Sequence, residues 1–189
     1  LAERLRRAGI RPLGIVVDIT NYLMLELGQP MHAFDLATLA GGIRVRQAQA
    51  GERLALLNGD TVALAAGTLV IADDQKPVAL AGIMGGGDTA VGDGTTDIFL
   101  EAAFFAPSAI AGRAREYGLH TDSSHRFERG VDPERCREAI ERATAMVLTH
   151  AGGVPGPVTE AVDAAHMPEA RRVTLRPARA NALLGTAID

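Results

Sequence analysis

The stretch that most constrains the fold is residues 16–35, VVDITNYLMLELGQPMHAFD. Val16, Ile19, Leu23 and Leu27 recur at helical spacing and define one buried stripe. Gly28 supplies a left-handed stop, and the Gln29-Pro30 step breaks the helix, after which a short turn presents His32. Thr20 lies on the apolar stripe, Asn21 sits beside it and Asp18 crowds the same turns. A purely structural helix has no need of polar groups there. The pattern is that of one wall of a site, with His32 requiring partners from elsewhere in the chain.

Upstream, residues 1–8 read as the end of a helix stopped by Gly9, and Arg11-Pro12 forces an extended connection. Downstream, Asp35 is placed to cap a short turn ending at Gly41-Gly42, and the period then switches to strand. Residues 43–47 alternate. Leu54 to Leu57, then Asn58-Gly59, then Val62 and Leu64, read as a hairpin whose Asn-Gly supplies both positive φ angles. Further strands are expected over 69–72, 77–84 and 98–104, with Gly82, Gly85, Gly86 and Gly87 interrupting the second of these. One helix is expected from Pro107 to Gly118, followed by the polar loop HTDSSHRFERG over 120–130. Asp132-Pro133 opens another helix, its inner face carrying Cys136, Ile140, Ala143, Val147 and His150. Val158 to Val162 would return a strand to the sheet, and after Met167-Pro168 the pattern restarts as strand (RRVTLR) and helix (PARANALLG). The expected fold class is α+β, a mixed, largely antiparallel curved sheet with helices packed outside it. Residues 1–166 would form one domain and 167–189 the truncated start of the next. A beginning at Leu1 and an end just after a helix-like run suggest a segment of a longer protein.

The formal net charge of −4 argues against a freestanding nucleic-acid binder, since phosphate neutralisation needs a basic face. It leaves room for a pocket that receives only the end of an RNA held by other domains. A lone cysteine, Cys136, excludes an internal disulfide and a thiolate metal cluster, and no apolar run reaches membrane-spanning length. A cytoplasmic setting is the expectation.

Glu101 lies within IFLEAAF, where alternation puts Phe99 and Glu101 on one face. A carboxylate there needs a donor, which a substrate hydroxyl or ammonium would supply, unless the strand is an edge with a solvated Glu. The run GIMGGG over 82–87 either lets backbone approach a ligand or forms a tight turn in a sheet; it lacks both the dinucleotide and the phosphate-loop signatures. His32, His120 and His125 form no ligand spacing typical of a metal, so no metal is expected. Thr121, Ser123 and their neighbours could be a solvated loop; without a GxSxG elbow a serine nucleophile is not expected.

Three motifs in order, VVDITNYLMLELGQPMHAFD, LAGIMGG and TDSSHRFERGVDP, resemble the fused third and fourth domains of the beta subunit of bacterial phenylalanyl-tRNA synthetases, over roughly residues 10–153. The tail RVTLRPARANALLG is similar to the opening of the following domain. The resemblance implies a proofreading module of phenylalanine–tRNA ligase that hydrolyses tRNA(Phe) mischarged with tyrosine. A site that hydrogen-bonds the extra hydroxyl discriminates better than an apolar pocket that must reject it. Carried onto this chain, Glu101 and a backbone N–H near Gly85 would read the tyrosine hydroxyl. His32, Thr20 and Asn21 would line the reacting end, with His32 positioning water or the terminal ribose. Thr121 and Ser123 would form a wall, Ser123 standing where the family commonly has Ala, and Arg11 would contact a phosphate or carboxyl group. Water attack on an activated ester needs orientation and donors, not a covalent nucleophile. No cofactor is implied for this segment; ATP and Mg2+ belong to the synthetic site of the longer enzyme. The implied partners are the 3′ end of tRNA(Phe) carrying tyrosine and the alpha subunit, in an assembly of two alpha and two beta subunits, with no membrane. Two alternatives remain at this point: a non-catalytic amino-acid-binding or assembly module, and a plain scaffold with these polar residues scattered in space.

Overall fold

The computed structural model describes residues 1–169 and 172–187. A first short helix, α1 (Ala2–Arg7), leads to α2 (Ile15–Leu27), which ends where Gly28 adopts φ 72°. Asp18 is buried for a local reason: its carboxylate accepts the backbone N–H of Leu13 at 2.8 Å, tying the incoming chain to the first turn. Pro30 prevents helix continuation, and the chain emerges as a strand, β1 (Met31–Asp35). His32 therefore sits within a strand and not on the turn that the local sequence suggests.

β1 pairs antiparallel with β8 (Ile98–Ala102), His32 standing opposite Glu101 and Phe34 opposite Phe99. The two-residue period divides this ribbon into two working faces. Met31 and Leu100 pack with Ile19, Leu23 and Ala143 beneath α2 and the long helix α6 (Arg135–His150). Phe34 and Phe99 turn the other way, into the larger core with Leu54, Val70, Leu80, Phe105 and Phe127. His32 and Glu101 share that second face.

The larger core is walled by a four-stranded sheet in the order β2 (Arg44–Gln47), β5 (Leu69–Ala72), β6 (Pro77–Leu80), β7 (Met84–Gly85). A separate hairpin pairs β3 (Arg53–Ala55) with β4 (Thr61–Ala63). Every pairing is antiparallel. Where the sequence suggests one curved sheet, the ladders among the described residues are three, stitched by the bridges Leu56–Gly86 and Phe34–Ala90. The hairpin turn also differs. Gly59 alone has positive φ, 92°, and its N–H donates to the Leu56 carbonyl at 3.0 Å, so Leu57 and Asn58 take the centre of the turn and glycine the left-handed position after it.

The helix expected over 107–118 is two short ones, α3 (Pro107–Ile110) and α4 (Arg113–Glu116), separated by Gly112 at φ 81°. The polar stretch 120–130 is not a loop. Thr121 and Ser124 cap each other reciprocally and start α5 (Asp122–Phe127), whose Phe127 is buried. In α6 the fully buried positions are Ala139 and Ala143, two small residues that let the helix lie close on α2; Cys136, Ile140 and Val147 are half-buried, and His150, at the helix end, is exposed. Val158 to Val162 form no strand and are exposed. Of the strand expected over 171–176, residue 171 lies outside the described residues and 172–176 are unpaired. The last element is α7 (Pro177–Leu184).

Candidate functional site

Between the β1–β8 ribbon, the glycine turn and α5 lies a cavity that opens to solvent, its space about 370 Å³ with the open mouth included. His32, Gly85, Glu101 and Ser123 all line it, although they come from four widely separated stretches of the chain. Its remaining lining is mainly apolar and includes Pro30, Met84, Phe105 and Phe127.

Glu101 is the unusual group. Its carboxylate has no hydrogen-bond partner among the described residues, and burial pushes its pKa up to about 7. Burial likewise pulls His32 down to about 4, so its imidazole is neutral near pH 7. The two are cross-strand neighbours, yet no side-chain hydrogen bond joins them. Edge-on packing against Phe34, with ring centroids 4.4 Å apart, fixes the imidazole plane. Gly85 completes the arrangement: a Cβ there would lie 2.6 Å from His32 Nε2, would also strike His32 Cε1, and would lie 3.1 Å from Leu57. Nε2 is consequently sealed without a partner.

The other glycines of the run have packing roles. A Cβ on Gly82, at φ 68°, would press on both Phe127 and Phe105, whose rings meet at a tilt with centroids 5.1 Å apart, and one on Gly86 would lie 2.5 Å from the Val78 carbonyl. The tight-turn reading of the cluster holds for Gly82 and Gly86, while Gly85 makes room for the His32 ring on the cavity wall. Thr121 does not line the cavity. Its hydroxyl donates to the Ile83 carbonyl at 2.8 Å and accepts the Ser124 N–H at 3.0 Å, which fixes α5 against the glycine turn and leaves Ser123 facing inward. Thr20 is buried in α2 with its hydroxyl donating to the Val17 carbonyl at 2.9 Å, and Asn21 is half-buried beside it; neither lines the cavity. Arg11 is exposed before α2 and is also absent from the lining.

Sequence reasoning missed the apolar walls. Gly82, first of the glycine run, and Phe127, the sole aromatic of a polar stretch, were the available signals; nothing local marked Phe105 or Met84. Cys136 has its thiol pushed up to about 11 by burial and, next, by the charge of Glu101, so it is a poor nucleophile. Among the described residues no three His, Cys, Asp or Glu side chains converge as a metal site, and no helix is long and apolar enough to cross a membrane.

Chemically, the cavity offers an unpaired carboxyl able to accept or donate a hydrogen bond near pH 7, a neutral imidazole, and apolar surface for a ring. That combination suits a small aromatic bearing a hydroxyl.

A family model described as the B3/4 domain matches residues 1–152. Among curated proteins, the chain is 61% identical over 188 residues to the phenylalanine–tRNA ligase beta subunit of Nitrosococcus oceani, covering 100% of this chain and 24% of that protein. It is 58% identical over 189 residues to that of Pseudomonas savastanoi pv. phaseolicola, covering 100% and 24%, and 61% identical over 185 residues to that of Methylococcus capsulatus, covering 98% and 23%. The chain spans about a quarter of the length of these relatives.

Proposed function

The chain belongs to the B3/4 domain family, and on that premise we propose that it is the editing module of a phenylalanine–tRNA ligase, hydrolysing tyrosine wrongly esterified to tRNA(Phe). The observation that carries this reading is Glu101: an unpaired carboxyl in an apolar cavity, facing a neutral imidazole. Structural economy alone would place an apolar residue there. A phenolic hydroxyl supplies the missing partner, and phenylalanine, lacking it, leaves Glu101 unpaired on binding. That asymmetry is the source of discrimination.

In this reading the tyrosine ring lies between Phe105, Phe127 and Met84, with its hydroxyl on Glu101 and the backbone near Gly85. The ester end lies toward the cavity mouth. Water adds to the ester carbonyl, the bond to the ribose oxygen breaks, and the proton passes to that oxygen, releasing tyrosine and tRNA with a free terminal hydroxyl. His32, held by Phe34 and Gly85, positions the water or the ribose. Ser123 makes its wall more polar, Thr121 holds that wall, Thr20 and Asn21 support the reacting end from α2, and Arg11 takes a phosphate. The tRNA body and the alpha subunit are engaged by other parts of the longer protein, as are ATP and Mg2+, and residues 167–189 begin its next domain.

The test is Glu101→Ala in the complete ligase. Hydrolysis of tyrosyl-tRNA(Phe) falls while aminoacylation with phenylalanine stays near normal; unchanged hydrolysis refutes the proposal. The sealed Nε2 of His32 favours one second reading, a binding module that holds tyrosine without chemistry. Tyrosine binding that depends on Glu101, in a ligase that hydrolyses no tyrosyl ester, would select it.

A further inference from the structure

We propose that Gln29 is a positioning residue: its side-chain amide replaces the N–H that Pro30 lacks and holds the ends of β1 and β8 at the spacing that sets His32 against Glu101. The consequence for hydrolysis rests on the reading of the cavity given above; the structural role does not.

Gln29 is 1% exposed, a fully buried amide where a hydrocarbon would be less costly. Its nitrogen donates to the Ala103 carbonyl at 2.8 Å and to the Pro30 carbonyl at 3.1 Å. Two acceptors fix the orientation of the amide, since the flipped form would set its oxygen against both carbonyls. The ladder explains why the donor is needed. The register ends at Met31 opposite Ala102, so the next pair is Pro30 with Ala103, and proline has no N–H to offer. Gln29 crosses 74 positions of sequence to supply one. Its oxygen, meanwhile, is sealed with no donor, so the group is retained for its nitrogen and at a desolvation cost.

The position of this clamp gives it its consequence. Pro30 and Phe105 line the cavity, and Gln29 does not. Ala103 lies midway between Glu101 and Phe105, and Pro30 is two residues before His32. Without the clamp the Ala103 carbonyl turns to water, the strand ends separate, and water reaches Glu101 from behind. Its carboxyl then loses the burial that raises its proton affinity.

The experiment compares the chain with Gln29→Met, which keeps the length and removes the donor, and with Gln29→Met combined with Pro30→Ala, which restores a backbone N–H opposite Ala103. The Glu101 carboxyl is titrated by carbon-13 NMR in each, and tyrosyl-tRNA(Phe) hydrolysis is measured in the complete ligase. Gln29→Met lowers the Glu101 midpoint by about one pH unit or more and reduces kcat by about tenfold without raising KM for the tRNA. The double variant recovers both. A Glu101 midpoint unchanged in Gln29→Met, whatever happens to Tm, overturns the inference. Should Gln29→Met not fold, recovery of a folded chain with a raised midpoint in the double variant supports it, and failure to recover overturns it. A ligase that never hydrolyses the ester would remove the functional reading alone, because the titration needs no substrate.

Discussion

Replacing Glu101 by Gln should make the chain more stable at pH 8, although it removes a charged side chain from a folded protein. The carboxyl rises from an ordinary 4.5 to about 7 through burial, and a tenfold change in proton affinity is worth ~1.4 kcal/mol. Ionising Glu101 in the fold is therefore disfavoured by about 2–3 kcal/mol relative to the unfolded chain, allowing for the water at the cavity mouth. The sign follows from the raised value. Below pH 4.5 the carboxyl is protonated in both states and its contribution is fully present; as pH climbs through 7 that contribution is lost. His32 acts oppositely. Its pKa is lowered from 6.5 to about 4, so its contribution is full above 6.5 and lost as pH falls through 4. The two slopes oppose across pH 4.5–6.5 and largely hide each other in the native chain. Glu101→Gln removes one and exposes the other. Urea denaturation at intervals from pH 4 to 8 should give a nearly level native curve between 4.5 and 6.5, and a variant curve that rises over that range and then stays flat. The variant should gain about 2–3 kcal/mol on the native chain between pH 4 and 8. Parallel curves would refute the reasoning, since they would mean that Glu101 is not desolvated.

Three further perturbations follow from the packing. Gly85→Ala drives a methyl into the His32 ring and should lower stability by roughly 1–3 kcal/mol while abolishing any hydrolysis that depends on His32, measured by denaturation and by ester release in the complete ligase. Thr121→Val removes both the α5 cap and the tie to Ile83, and should cost about 1–2 kcal/mol in a urea titration. Phe34→Ala empties a fully buried position behind the site, with an expected loss of about 3–5 kcal/mol and, because Phe34 orients His32, altered imidazole titration by NMR.

The helix over 16–27, its glycine stop and the two-residue period that sets Phe99 and Glu101 on one face were all legible, because each depends on neighbours within a turn or two. What the sequence could not display was pairing at long range. His32 looks like a turn residue after Pro30 until β8 arrives to pair with it, and the split of the sheet into three ladders depends on contacts that no local pattern encodes. The candidate residues show the same division. His32, Gly85, Glu101 and Ser123 stand out as polar or glycine in unusual company, whereas Phe105 and Met84 resemble any core residue. The length of Gln29 and the missing N–H of Pro30 are both written in the chain, yet their connection appears only when Ala103 is seen beside them.

The proposed function depends most on the cavity accepting a phenolic hydroxyl at Glu101. A structure of the chain with a non-hydrolysable tyrosyl-adenosine analogue tests this directly. The expected result is the phenolic oxygen at hydrogen-bonding distance, ~2.5–3.0 Å, from the Glu101 carboxyl, with the ring between Phe105 and Phe127. A ligand bound with its ring outside the cavity, or with Glu101 still unpaired beside it, would contradict it.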